Sequence, residues 1–180
     1  MSGAAAWPVA SPISTARLRL EPLRVGHAPE TAPVFGDVRL HEWTGGTPCT
    51  PAELEARYLR QAGGSSPDGT RGWLNWILRR RSDGRLTGTV QATLPRPHRR
   101  LSAQLAWVVG HDHQGNGYGR EGARAMVEWL RAHGPAELTA HVHPRHEASN
   151  AIARAVGLNA TNTVSGGEVR WRSQPASRRR

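Results

Sequence analysis

The sequence predicts an α/β (α+β) fold in which helices pack on one mixed sheet, and three observations carry that reading. Runs with a two-residue apolar alternation are interleaved with runs whose apolar residues recur every three or four positions. Ser82-Asp83-Gly84 joins two strand-like runs with a strong hairpin signal. Between His111 and Arg131, "HDHQGNGYGREGARAMVEWLR" takes a strand ending through alternate glycines into a helix entrance.

In chain order, "TARLRLEPL" comes first: Arg17 and Arg19 alternate with Leu18 and Leu20, as in a strand with one wet face. "HAPETAPVFGD" holds two prolines and predicts a short, broken helix at best. "TPAELEARYLRQAGG" is a better-marked helix, with Thr50 as cap, Pro51 in the first turn, Glu53 completing a capping box and Gly63-Gly64 ending it. "GWLNWILRRR" and "RLTGTVQATL" are the hairpin strands, closed by the loop "PRPHRR". "LSAQLAWVVG" is a further strand running into the glycine stretch. The helix beyond it presents one apolar stripe, Tyr118, Gly122, Ala125, Met126, Trp129 and Leu130, and ends near His133-Gly134-Pro135. "AELTAHVH" then reads as a strand and "EASNAIARAV" as a helix stopped by Gly157. Two short strands meet at Ser165-Gly166-Gly167, and no internal repeat is present.

A chain of 180 residues supports one domain with a real core. Its reading is a flexible leader over 1–12, the domain over 13–173 and a disordered basic tail over 174–180. No apolar run nears the roughly 20 residues that span a bilayer, and the leader lacks a charged head before its apolar stretch. That predicts a soluble, cytoplasmic protein with no membrane partner. The one cysteine, Cys49, can form neither an internal disulfide nor an all-cysteine metal site. Net charge is +10, but all 24 Lys+Arg residues are arginine, a compositional skew that weakens the charge as a sign of polyanion binding. Lysine's absence excludes a Schiff-base lysine and a phosphate loop of the G-x-x-x-x-G-K-[ST] kind.

Glycine weakens helices, so three at a helix entrance imply that something approaches the backbone closely. Gly115, Gly117 and Gly119 would let successive amides form a concave nest for a diphosphate, with Arg120 adding a fixed charge. The dehydrogenase fingerprint has another spacing and belongs to a first strand-helix unit, whereas Gln114-x-x-Gly117-x-Gly119 follows four predicted strands. A merely flexible loop is the bland alternative.

Gln114-x-x-Gly117-x-Gly119, after "AQLAWVV" and before a helix, resembles the acetyl-CoA diphosphate motif of the GNAT superfamily of acyl-CoA N-acyltransferases. "HPRHEASNAIARAVGL" is similar to that superfamily's next strand-helix unit, with Ser149 and Gly157-Leu158 matching. "ISTARLRLEPL" and "GYGREG" resemble the branch of the ribosomal-protein N-terminal acetyltransferases, and the likeness covers residues 13–173. The resemblance implies a mixed, mostly antiparallel sheet of about six to seven strands with helices on both faces. It implies acetyl transfer from acetyl-CoA, without a metal, to a primary amine: a protein N-terminus, a small amine or an antibiotic. Backbone groups of Trp107, Val108 and Val109 would pair with the pantetheine arm. Gln114, Gly115, Asn116, Gly117, Tyr118, Gly119 and Arg120 would cradle the diphosphate, and Ser149 would give a proton to the departing thiolate.

Two positions depart from the family pattern. His146 stands where asparagine is usual for a cofactor or strand-ordering contact; as a cofactor-binding candidate it can still donate. Gln104 stands where many relatives carry glutamate, and an amide cannot take a proton. Glu168 is the candidate base in its place, with His143 behind it. His141, His143 and His146 form H-x-H-x-x-H, but no carboxylate or cysteine of matching spacing joins them, so no metal is assigned. Trp43, in "HEWTGGTPCT", belongs to the region that borders the acceptor cleft in relatives. The alternatives are a non-catalytic acyl-CoA binding or sensor domain, motivated by Gln104 and His146, and, last, a nucleic-acid-binding module motivated by the arginines. Homodimerisation stays open.

Overall fold

In a computed structural model, residues 7–96, 101–135 and 137–174 are described. Leader residues 1–6, tail residues 175–180 and loop residues 97–100 lie outside them. Eight strands form one sheet in the order β1-β2-β3-β4-β5-β6-β8-β7. They are β1 (Ile13–Ser14), β2 (Leu18–Pro22), β3 (Arg71–Arg80), β4 (Leu86–Pro95), β5 (Ser102–Val109), β6 (Glu137–Val142), β7 (Leu158–Ser165) and β8 (Glu168–Ser173). Every pairing is antiparallel except β5 with β6. The strand beyond the expected six to seven is β1, whose Ile13 pairs with Leu20 and whose two residues are too few to show an alternation.

Helices cover both faces. The alternation in β2 to β5 turns Leu18, Leu20, Leu74, Trp76, Val90 and Leu105 to one side, where they pack with α4 (Tyr118–Ala132) and α5 (Glu147–Ala155). Ile77 and Leu86 face the other way, onto α1 (Ala28–Phe35) and α3 (Pro51–Ala62). The capping box of α3 forms, with Thr50 N donating to Glu53 Oε2 at 2.9 Å and Glu53 N to Thr50 Oγ1 at 3.3 Å. The "broken" segment makes eight helical residues, because Pro29 falls in the first turn, where no N–H is needed, and Pro33 is followed by only two more. A single-turn helix α2 (His41–Thr44) then leads to α3.

The segment read as a leader touches the sheet from Trp7 onward, with Trp7 and Ala10 against the main core. Ser11 O accepts from Trp76 Nε1 at 2.8 Å, and Ser11 Oγ from Trp129 Nε1 at 2.8 Å. No helix among the described residues is long and apolar enough to cross a membrane.

Candidate active site

The parallel register of β5 and β6 runs from Ser102↔Glu137 to Leu105↔Ala140 and stops there. β5 continues to Val109 along β4, while β6 continues to Val142 along β8. The two strands therefore part, and the edge of β5 from Ala106 onward has no strand beside it among the described residues. Such an edge offers N–H and C=O groups to an extended amide chain. Trp107 and Val108 point to opposite sides of it. Trp107 Nε1 donates to Ser149 Oγ at 3.2 Å, below the sheet on α5. Val108 lines a cavity of about 420 Å³ under α1 and α3. The carbonyl of Val109, expected to pair with pantetheine, already accepts from Gln114 Nε2 at 3.1 Å.

That bond begins the shaping of the glycine loop. Asn116 Nδ2 donates to the carbonyls of His113 (3.1 Å) and Gln114 (3.0 Å), and Arg17 Nη1 donates to Asn116 O at 2.9 Å. Side chains thus hold the loop's carbonyls. Gly115 (φ +76°) and Gly117 (φ +79°) occupy the left-handed region that the nest requires. The first bond of the α4 ladder is Glu121 N to Gly117 O at 3.0 Å, so the N–H groups of Tyr118, Gly119 and Arg120 lie ahead of it, at the positive end of a 15-residue helix. These donors suit a diphosphate, and exposed Arg120 stands beside them.

Two residues assigned to the cradle have packing roles besides. Gly119 has ordinary helical geometry; a Cβ there would lie 2.9 Å from Ile152 Cδ1 and 3.0 Å from Val109 Cγ2, so its smallness serves packing of α4 on α5 and β5. Tyr118 has a buried ring under the Arg17 guanidinium, 5.0 Å from its carbon, which leaves the main chain as its contribution to the loop.

Arg17 and Glu121 form a clamp that strand alternation concealed by marking Arg17 as a solvent residue. Glu121 accepts from Thr15 Oγ1 (2.6 Å), Arg17 N (2.9 Å) and Arg17 Nε (2.7 Å), tying the β1–β2 turn to the entrance of α4. Burial alone would raise the Glu121 pKa; the hydrogen bonds from Thr15 and Arg17 outweigh it and hold the carboxyl below the ordinary range. A lowered folded-state pKa stabilises above the unfolded value and loses that stabilisation as pH falls through the folded one. Melting curves should therefore show the wild type losing about 1–2 kcal/mol, or roughly 4 °C, on acidification below the ordinary glutamate range, relative to Glu121→Gln. Equal acid sensitivity in the two proteins would remove the clamp's electrostatic role.

At the end of β6 the departures acquire a geometry. His146, the residue before α5, stacks on Trp43 of α2 with centroids 4.9 Å apart, and His143 meets the same indole at 5.3 Å. Burial disfavours the imidazolium of His146 and lowers its pKa, opposed by Glu42 and aided by His143. The strand-ordering contact passes to its neighbour Asn150, whose buried Nδ2 donates to Pro144 O at 2.9 Å. Gln104 Nε2 lies 3.3 Å from His141 Nδ1. Glu168 opens β8, one residue past the Val142↔Val169 pair, half-buried and with no side-chain partner among the described residues. No hydrogen bond joins it to Ser149 among the described residues.

The cavity above the sheet holds one further group that no motif marks. His41 Nδ1 lies 3.1 Å from Gly45 O, and because a carbonyl only accepts, Nδ1 is the donor. His41 Nε2 is buried in the cavity wall without a hydrogen-bond partner among the described residues.

A partly opened sheet with an amide-lined helix entrance on one side and a cavity on the other defines an acyl-CoA-dependent acetyltransferase, and the comparisons agree. Residues 17–159 match the acetyltransferase (GNAT) domain family, and the chain belongs to that family. The ribosomal-protein-S5-alanine acetyltransferase of Vibrio fischeri shares the fold at a TM-score of 0.75, with 15% identity, 93% of this chain and 98% of that chain covered. The Salmonella typhimurium acetyl transferase that modifies the N-terminal serine of the 50S subunit protein L7/L12 has a TM-score of 0.70, 13% identity and coverages of 90% and 98%. RimL, a ribosomal L7/L12 alpha-N-protein acetyltransferase solved with coenzyme A, gives 0.70, 15% identity and coverages of 90% and 97%. No curated protein matches in sequence.

Proposed function

We propose that this acetyltransferase joins acetyl-CoA and a primary amine in one ternary complex and transfers the acetyl group by direct attack. The observation that carries it is the parting of β5 from β6 beside the N–H groups of residues 118–120. Residues 114–120 hold the diphosphate, and the open edge at Trp107 and Val108 aligns the pantetheine arm, with His146 walling the slot. A free N–H on that edge steadies the oxygen of the attacked thioester. Glu168 takes one proton from the ammonium, freeing the lone pair that forms the C–N bond as C–S breaks. Ser149 passes the second proton to the thiolate, so CoA leaves as a thiol and one proton reaches solvent. The hydroxyl oxygen accepts from Trp107 Nε1, which leaves the hydroxyl proton free to be given and supports this role.

The test is thiol release from acetyl-CoA over a broad amine panel, with Ser149→Ala compared. The substitution should lower kcat about a hundredfold while shifting the acetyl-CoA dissociation constant less than about threefold. An unaltered kcat removes Ser149 as the acid. Binding of acetyl-CoA with no turnover on any amine would instead favour the sensor reading that Gln104 motivates.

A further inference from the structure

The cavity under α1 and α3 is unlike a site for polycations. Among the described residues, none of those lining it is acidic, and the one permanent charge is Arg57. Arg57 is exposed, at the open side of the cavity, and its Nη2 lies 2.8 Å from Cys49 Sγ. That contact uses one of five N–H donors and steadies the guanidinium. Glu53, the carboxylate one turn away, accepts instead from Thr50 N and Thr50 Oγ1, each at 2.9 Å, and forms no ion pair with Arg57 among the described residues. The guanidinium therefore lines the cavity with no carboxylate bonded to it among the described residues, Glu53 acting on it only through space.

The floor is polar in a complementary way. Asn75 and Gln91 are directly paired across β3 and β4, and both line the cavity. Neither side-chain amide has a hydrogen-bond partner among the described residues. Each presents a carbonyl oxygen, which an ammonium can use, and an NH₂, which a carboxylate can use. Thr89, two residues before Gln91, pairs with Val108, so this floor runs to the open edge of β5 where the thioester is expected. A volume of about 420 Å³ admits a compact molecule.

We propose that this cavity is the acceptor chamber and takes a compact primary amine carrying a carboxylate, held by Arg57 and oriented by Asn75 and Gln91. This rests on the acetyltransferase reading above. A diamine or aminoglycoside would bring its second cation against Arg57 with no carboxylate to receive it, and the site selects against such amines by repulsion. A guanidinium meets a carboxylate through two parallel N–H bonds, which fixes the distance between the anion and the attacking nitrogen.

The experiment uses the full chain with acetyl-CoA and four probe classes: β-alanine and 4-aminobutyrate, their methyl esters, putrescine, and a short peptide with N-terminal serine. Calorimetric binding of acetyl-CoA is measured alongside. The free acids should exceed their esters in kcat/KM by about tenfold or more, and putrescine by at least as much. Arg57→Gln should collapse the acid-over-ester preference toward unity, while Arg57→Lys keeps most of it. Because Arg57 is exposed, neither change threatens the fold. Equal use of acids and esters, better use of putrescine or of the peptide, or no turnover of the acids overturns the chamber's selectivity, yet turnover of any amine leaves the acetyltransferase reading intact. Failure to bind acetyl-CoA would sink both.

Discussion

Gly117→Val should raise the dissociation constant for acetyl-CoA by about a hundredfold, measured by calorimetry, while the circular dichroism spectrum stays that of the wild type. Gly117 sits at φ +79°, a conformation that a β-branched residue reaches only with strain. Its Cβ would also stand 3.4 Å from Arg17 Nη2, crowding the guanidinium that holds Asn116 O. To relieve either, the loop must turn, and the N–H groups of residues 118–120 then no longer converge on one anion. The core lies elsewhere, so the sheet persists. An unchanged dissociation constant would mean that the diphosphate is held by some other surface.

Trp76→Ala should cost about 3–5 kcal/mol and lower the melting temperature by about 10 °C or more. Trp76 is 0% exposed, meets Trp129 edge-on with centroids 5.3 Å apart, and donates to Ser11 O. Truncation opens a ring-sized hole at the centre of the sheet and releases the segment before β1. Trp76→Phe keeps most of the volume but leaves Ser11 O without its donor, and should cost about 1–2 kcal/mol. Calorimetric unfolding of both proteins checks the ranking, and a loss under 1 kcal/mol in Trp76→Ala would show that the cavity collapses.

What was readable in the sequence was local. The Thr50–Glu53 cap, the Ser82–Gly84 hairpin and the positive φ at Gly115 and Gly117 depend on residues a few positions apart, and all are present. The packing role of Gly119 has no local signature, because a glycine needed for a ligand and one needed for a neighbouring helix look alike until Ile152, 33 positions on, is placed against it. Arg17 and Glu121 are 104 positions apart, so no spacing links them. Asn150 lies one residue past Ser149, outside the motif's asparagine position, which His146 fills and the fold uses as a platform for Trp43. The cavity that holds His41 and Arg57 is closed in part by an irregular stretch between α1 and α3, for which periodicity has no template.

The separation of Trp107 and Val108 onto opposite faces has a consequence for how such an enzyme can change. The sheet works as a partition wall with one narrow hatch. In the proposed arrangement the donor is gripped below and at the helix entrance, whereas the roof of the upper chamber comes from α1, α3 and the segment between them, over a floor from β3, β4 and β5. In that arrangement a swap of residues 24–64 between relatives should carry acceptor preference with it and leave donor affinity behind.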